Sequence, residues 1–139
     1  MNIEHILQET IISVINELYG TVVDKSQITL QKTNKEFKGH YTLVTFPLLK
    51  ISRKNPELTA QEIGLYLSQH SPIISEYNVI KGFLNLTITT ETWLKLFQTI
   101  DSNTNYGFTS VEEDAPLFMV EYSSPNTNKP LHLGHVRNN

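Results

Sequence analysis

The sequence predicts an α+β protein: a two-layer sandwich in which an antiparallel four-stranded sheet is covered by helices in the order α-β-β-α-β-β-α. The first strand and helix start of a truncated, Rossmann-like unit follow it. Three observations carry this. Apolar residues recur at helical spacing near the start, middle and end of the first hundred residues. Two pairs of short β-prone runs lie between those helices, and consecutive strand pairs separated by helices favour an antiparallel sheet with helices on one face. The last stretch runs from an apolar segment, residues 117–120, through a Ser/Pro/Asn/Lys loop to two histidines flanking a glycine.

Ile3, Ile6, Leu7, Ile11, Val14, Ile15 and Leu18 define an amphipathic helix over residues 2–19, with Gly20 as its stop signal. Residues 28–31 and 41–46 read as strands joined by a polar loop, and Pro47 suits the first turn of a short helix over 48–54. Thr59-Ala60-Gln61-Glu62 has the form of a capping box opening a helix that runs to about His70, before Pro72. Residues 74–80 and 83–88 form a hairpin through Lys81-Gly82. Residues 91–100 form a last helix with Trp93, Leu94, Phe97 and Ile100 as its packing face.

Alternation along residues 83–88 sends Leu84, Leu86 and Ile88 toward the helices and Phe83, Asn85 and Thr87 to the other, open side. An exposed phenylalanine beside an amide can stack on an unpaired nucleobase and bond its edge, a common way of reading single-stranded RNA. A Phe half-buried under a neighbouring loop is the plainer alternative.

Composition narrows the class. A hydrophobic share of 39% and a charged share of 18% suit a folded domain, and 139 residues suit about one such domain. Absence of cysteine excludes a disulfide scaffold and thiolate metal sites and fits a reducing cytoplasm, the expected location. No apolar run approaches the roughly 18 residues of a membrane span, so no membrane role is expected. Net charge is −3, yet residues 21–54 carry seven cations (Lys25, Lys32, Lys35, Lys38, Lys50, Arg53, Lys54) against Asp24 and Glu36, a local +5. Such a region can hold a phosphate backbone, or be a solvated surface. Residues 101–116 are rich in Ser, Asn and Thr without periodicity and read as a linker between a domain at 1–100 and the final stretch, 117–139.

His132 and His135, three apart, share one side of a helix start, with Gly134 between them and Lys129 upstream. A strand, a polar loop and a helix entrance aim backbone N–H groups at an anion, the usual setting for phosphate chemistry. Two imidazoles without a third ligand make a poor zinc site, so no metal site is expected. A merely packing and capping role for the histidines stays open.

The whole stretch Ser123-Ser124-Pro125-Asn126-Thr127-Asn128-Lys129-Pro130-Leu131-His132-Leu133-Gly134-His135 resembles the signature of class I arginyl-tRNA synthetases: a strand ending in a carboxylate, Ser-Pro-Asn, a nearby lysine, then H-x-G-H. Upstream, the segment Lys81-Gly82-Phe83-Leu84-Asn85 is similar to part of the family's additional N-terminal domain, where a Gly-Phe-x-Asn-like run is associated with a base in the tRNA D-loop. The resemblance implies ATP-dependent attachment of arginine to its tRNA by the full-length enzyme, with ATP (with Mg2+), arginine and tRNA as partners. It assigns catalysis to His132, His135 and Lys129, ATP contacts to His132, Gly134 and His135, an arginine pocket to Glu121, Ser124 and Asn126, and tRNA contacts to Phe83 and Asn85. At Gly39-His40-Tyr41 the sequence departs from the family's Gly-Asp-Tyr, which leaves the role of His40 open.

Under this reading residues 117–139 begin a catalytic unit whose second, lysine-rich nucleotide loop is not in the sequence. The chain alone is therefore expected to be an inactive monomer without bound cofactor. A free-standing RNA-binding module, or a fragment of another adenylyltransferase, are the alternatives; the Ser-Pro-Asn/Lys spacing counts against both.

Overall fold

Asn2 opens helix α1, Ile3–Tyr19, by accepting the His5 N–H, and Gly20 closes it at φ 64° with its own N–H donated to Asn16 O. The computed structural model describes residues 2–120 and 128–137. The chain divides into two units, Met1–Tyr106 and Gly107–Asn139. In the first, α1 is followed by β1 (Leu30–Lys32), β2 (Tyr41–Val44), α2 (Leu49–Ser52), α3 (Pro56–His70), β3 (Ile74–Ile80), β4 (Phe83–Ile88) and α4 (Thr90–Asp101). Short 3-10 turns at Lys25–Gln27 and Phe46–Leu48 complete it. No described helix is long and apolar enough to cross a membrane.

The sheet order is β1-β2-β4-β3 with every pair antiparallel, so β2 and β4 are the interior strands. Leu43 faces Leu84 across them, and both are fully buried with Leu86 beneath α1 and α3, where Leu7, Ile11, Ile15, Ile63 and Leu67 complete the core. Helix α3 approaches the sheet closely because Gly64 has no side chain: a Cβ there would lie 2.4 Å from the Tyr77 ring and 2.8 Å from Leu84 Cδ1. The β3–β4 turn has positive φ at both residues, Lys81 at 49° and Gly82 at 80°, the type I′ pattern that matches strand twist.

Five local expectations are corrected. The first strand is Leu30–Lys32 rather than 28–31, because the Ile28 N–H closes the preceding 3-10 turn onto Lys25 O while its side chain enters the core. Strand β2 ends at Val44, since Phe46–Leu48 turns around Pro47. Helix α3 starts at Pro56, with Asn55 accepting the Leu58 N–H as its cap. Thr59 therefore lies inside the helix, buried, bonded to Asn55 O and Ser52 Oγ instead of forming a capping box with Glu62. Helix α4 packs through Thr92, Trp93 and Leu96, whereas Leu94, Phe97 and Ile100 are exposed. In the second unit, residues 117–120 form no strand, and the helix after the histidines is α5, Leu133–Arg137.

Released from capping, Glu62 ties two helices together. It accepts the Tyr19 hydroxyl at 2.9 Å and the Lys54 ammonium. Its carboxyl titrates below the ordinary 4.5, chiefly through the Lys54 hydrogen bond, with burial opposing and Tyr19 assisting. Burial and the bond to Glu62 push the Tyr19 phenol up. A carboxyl lowered in the folded state stabilises fully above its unfolded value and loses that contribution as pH falls through the folded one. Glu62→Gln is therefore expected to lower the melting temperature most above pH 4.5, with the gap from wild type shrinking on further acidification. Thermal melts across that range check this; a gap that stays constant into acid removes the ionised carboxylate from the explanation.

Candidate functional site

The register sets Thr42 directly opposite Asn85 on the sheet face turned away from the helices, with Phe83 on the same face two residues earlier. The sequence reading assigned these sides correctly but not their openness. Asn85 is only 2% exposed and Thr42 4%. The cause is the 33–40 loop, which folds back over this face. Its Gly39 sits at φ 130°, and a Cβ there would come within 3.1 Å of Asn85 Cβ and 3.3 Å of Thr33 Oγ1. Glycine is what lets the backbone cross so near the amide.

Between loop and sheet lies a cavity of about 200 Å³, lined by Asn34 and Phe37 from the loop and by Gln31, Thr42, Ile80, Phe83 and Asn85 from the strands. Phe83 is half-buried, and Phe46 braces its ring edge-on, with centroids 5.5 Å apart. The Asn85 Oδ1 lies 2.6 Å from Thr42 Oγ1, while its Nδ2 is buried without a protein partner. A flat apolar ring beside a fixed amide is the geometry that holds an aromatic heterocycle by stacking and by its edge.

Sequence reasoning found Phe83 and Asn85 but missed Gln31, Asn34, Phe37, Phe46 and Thr42. Thr42 needed the strand register; Gly39 was the one available signal that a loop crosses here.

His40 anchors that loop. Its N–H donates to Leu86 O, its Nδ1 accepts the Ile88 N–H at 3.0 Å, and its ring stands edge-on to Trp93 at 5.4 Å. Of the seven cations in 21–54, Lys25 pairs with Glu9 and Lys54 with Glu62. Lys35 and Lys38 are exposed on the loop bordering the cavity, whereas Lys32, exposed and opposite Tyr41 in the register, falls on the other side of β1.

In the second unit, Lys129, His132 and Gly134 are exposed and His135 partly so. The two imidazoles lie with centroids 3.8 Å apart. His132 Nδ1 accepts the Gly134 N–H at 3.1 Å, and His135 Nδ1 accepts the His132 N–H at 3.2 Å. An Nδ1 that accepts carries no proton, so each neutral ring has its proton on Nε2, a donor pointing away from the backbone. A Cβ on Gly134 would press within 3.0 Å of the His132 ring. Glu121, Ser124 and Asn126 lie outside the described residues. Among the described residues no three His, Asp or Glu side chains gather as a metal site would require.

The arginyl-tRNA synthetase N-terminal domain model matches residues 3–88, which hold the whole sheet and the cavity. The chain belongs to that family. The arginyl-tRNA synthetase N-terminal domain accounts for α1 through β4 here. Relatives named arginine–tRNA ligase include those of Bacteroides fragilis, 58% identical over 139 residues, and Parabacteroides distasonis, 59% identical over 139 residues. Each match covers the whole chain but 23% of the relative's length. Among solved structures, the arginyl-tRNA synthetase of Thermus thermophilus superposes with a TM-score of 0.55 at 27% identity, over 96% of this chain and 21% of that one.

Proposed function

We propose that this chain is the N-terminal part of an arginine–tRNA ligase and that its sheet-face cavity grips an unpaired base of the tRNA. The observation that carries the reading is the cavity itself: Phe83 offers a ring, braced by Phe46, beside the buried Asn85 amide. Lys35 and Lys38, in the loop that borders the cavity, supply the phosphate contacts that a polynucleotide needs next to a base pocket. The domain layout that goes with this is a tRNA-binding unit at 1–100, a linker at 101–116 and the start of a Rossmann-like catalytic unit at 117–139.

In that second unit the chemistry would fall to His132, His135 and Lys129. Their Nε2–H and ammonium donors suit the oxygens of ATP phosphates, where negative charge builds as the arginine carboxylate displaces pyrophosphate. Gly134 keeps the backbone open to the nucleotide. Glu121, Ser124 and Asn126 would receive the cationic substrate. Any Mg2+ would arrive with ATP, as part of the substrate.

The experiment compares tRNA affinity of the chain with that of Phe83→Ala. Losing a stacked base is expected to cost about 1–3 kcal/mol. Unchanged affinity would sink the base-reading proposal.

A further inference from the structure

Resting on the reading of this chain as the N-terminal part of a longer ligase, we infer that the outer side of α4 is a docking surface whose occupant is the polypeptide that follows residue 139 in the full-length protein. Leu94, Phe97 and Ile100 recur at three-residue spacing along α4 and are 55%, 63% and 40% exposed, so one side of the helix presents three large apolar side chains to water. At about 100° per residue they span roughly 120° of the helix circumference. One edge of this stripe meets the seated side, where Trp93 and Leu96 pack against the core. The other edge is bounded by Glu91, Lys95 and Gln98, all exposed. Between Leu94 and Ile100 no charged residue falls within the stripe. A contiguous apolar stripe with a polar border marks an interface rather than a solvated helix.

Three observations choose the occupant. Helix α4 opens at Thr90, just past residues 3–88 that the arginyl-tRNA synthetase N-terminal domain model matches, so the stripe lies on the element that leads out of that domain. Relatives named arginine–tRNA ligase match this whole chain with only 23% of their own length, and the matched domain is N-terminal by its description, so the greater part of such a protein comes after it. That polypeptide is joined covalently to α4, which places it at the stripe at an effective concentration on the order of millimolar. A second copy would have to come from dilute solution and lose its translational freedom on each encounter. Because the stripe is uncharged, the surface that covers it is apolar, and the contact excludes water instead of pairing ions.

The test compares hydrogen exchange of the α4 amides in the full-length protein and in the 139-residue chain. Exchange is expected to be slower in the full-length protein by about tenfold or more. Phe97→Glu should return it to the rate of the shorter chain, while Leu58→Glu, at a comparably exposed leucine of α3, should not. In the 139-residue chain, Phe97→Glu should melt within about 3 °C of wild type, because the side chain has no docked partner there to lose. Equal α4 exchange at both lengths, in a full-length protein that still attaches arginine to tRNA, overturns the docking inference and leaves the ligase reading standing. Protection that survives Phe97→Glu likewise overturns it. So does sedimentation showing the 139-residue chain as a dimer that Phe97→Glu dissolves, since the occupant is then a second copy. A reading frame that encodes no ligase body after residue 139 brings down the ligase reading and this inference together.

Discussion

Replacing Gly64 with valine is expected to destabilise the first unit by about 3 kcal/mol, toward the upper end of what overpacking a close contact costs. The site lies on the face of α3 against the sheet, where even a bare Cβ would stand 2.4 Å from Tyr77 Cδ2 and 2.8 Å from Leu84 Cδ1. No rotamer relieves a clash at Cβ itself. The Tyr77 ring cannot swing aside without losing the Gln61 Nε2–H bond to its hydroxyl at 3.1 Å, so helix and sheet must separate. Removing glycine from a helix interior would by itself gain at most about 1 kcal/mol, which is too little to compensate. Urea denaturation gives the measurement: a lower midpoint at similar slope is expected, and a midpoint at or above wild type would mean that α3 is not seated as described.

Leu84→Ala is expected to cost about 2–5 kcal/mol, because Leu84 is fully buried on an interior strand and its loss leaves a cavity between β4 and α3. The two sites are coupled. Leu84 Cδ1 is one of the groups that a residue at 64 would strike, so removing it gives a Gly64→Ala methyl part of the room it needs, although Tyr77 still opposes it. The double variant Gly64→Ala/Leu84→Ala should therefore be more stable than the summed single effects imply, by at least about 0.5 kcal/mol. Additive behaviour would place the two substitutions out of contact.

The fold was legible where periodicity is decisive. Residues 3–19 repeat at helical spacing, and residues 83–88 alternate cleanly, so α1, β4 and the two sides of the sheet followed from local pattern. What failed depended on partners distant in sequence. Glu62 looked like a capping residue because Thr59 stands three positions earlier; only the arrival of Tyr19 and Lys54 from other elements shows where its carboxylate goes. Leu94, Phe97 and Ile100 form an apolar stripe that reads as a buried face, yet α4 turns its neighbouring side, through Trp93 and Leu96, to the body. Asn85 was placed on the correct side and wrongly left open, because nothing local to β4 reveals that residues 33–40 will cross it. At the second site, Gly134 and the two histidines were legible as a motif, but the shared orientation of the imidazoles rests on backbone contacts that spacing alone does not specify.

The adjacency of β2 and β4 governs how this molecule can acquire its cavity in time. The Thr42–Asn85 contact spans 43 positions, and the helix α3 and strand β3 lie between its two ends. Closing so long a loop is entropically costly before any contact rewards it, and non-local pairings of this kind slow folding. The hairpin β3–β4 and helix α1 can form from near neighbours, but the face that carries the cavity cannot be assembled piecemeal. During synthesis the chain must be complete through β4 before the cavity has a floor, so the cavity arises in one cooperative step with the closure of the sheet.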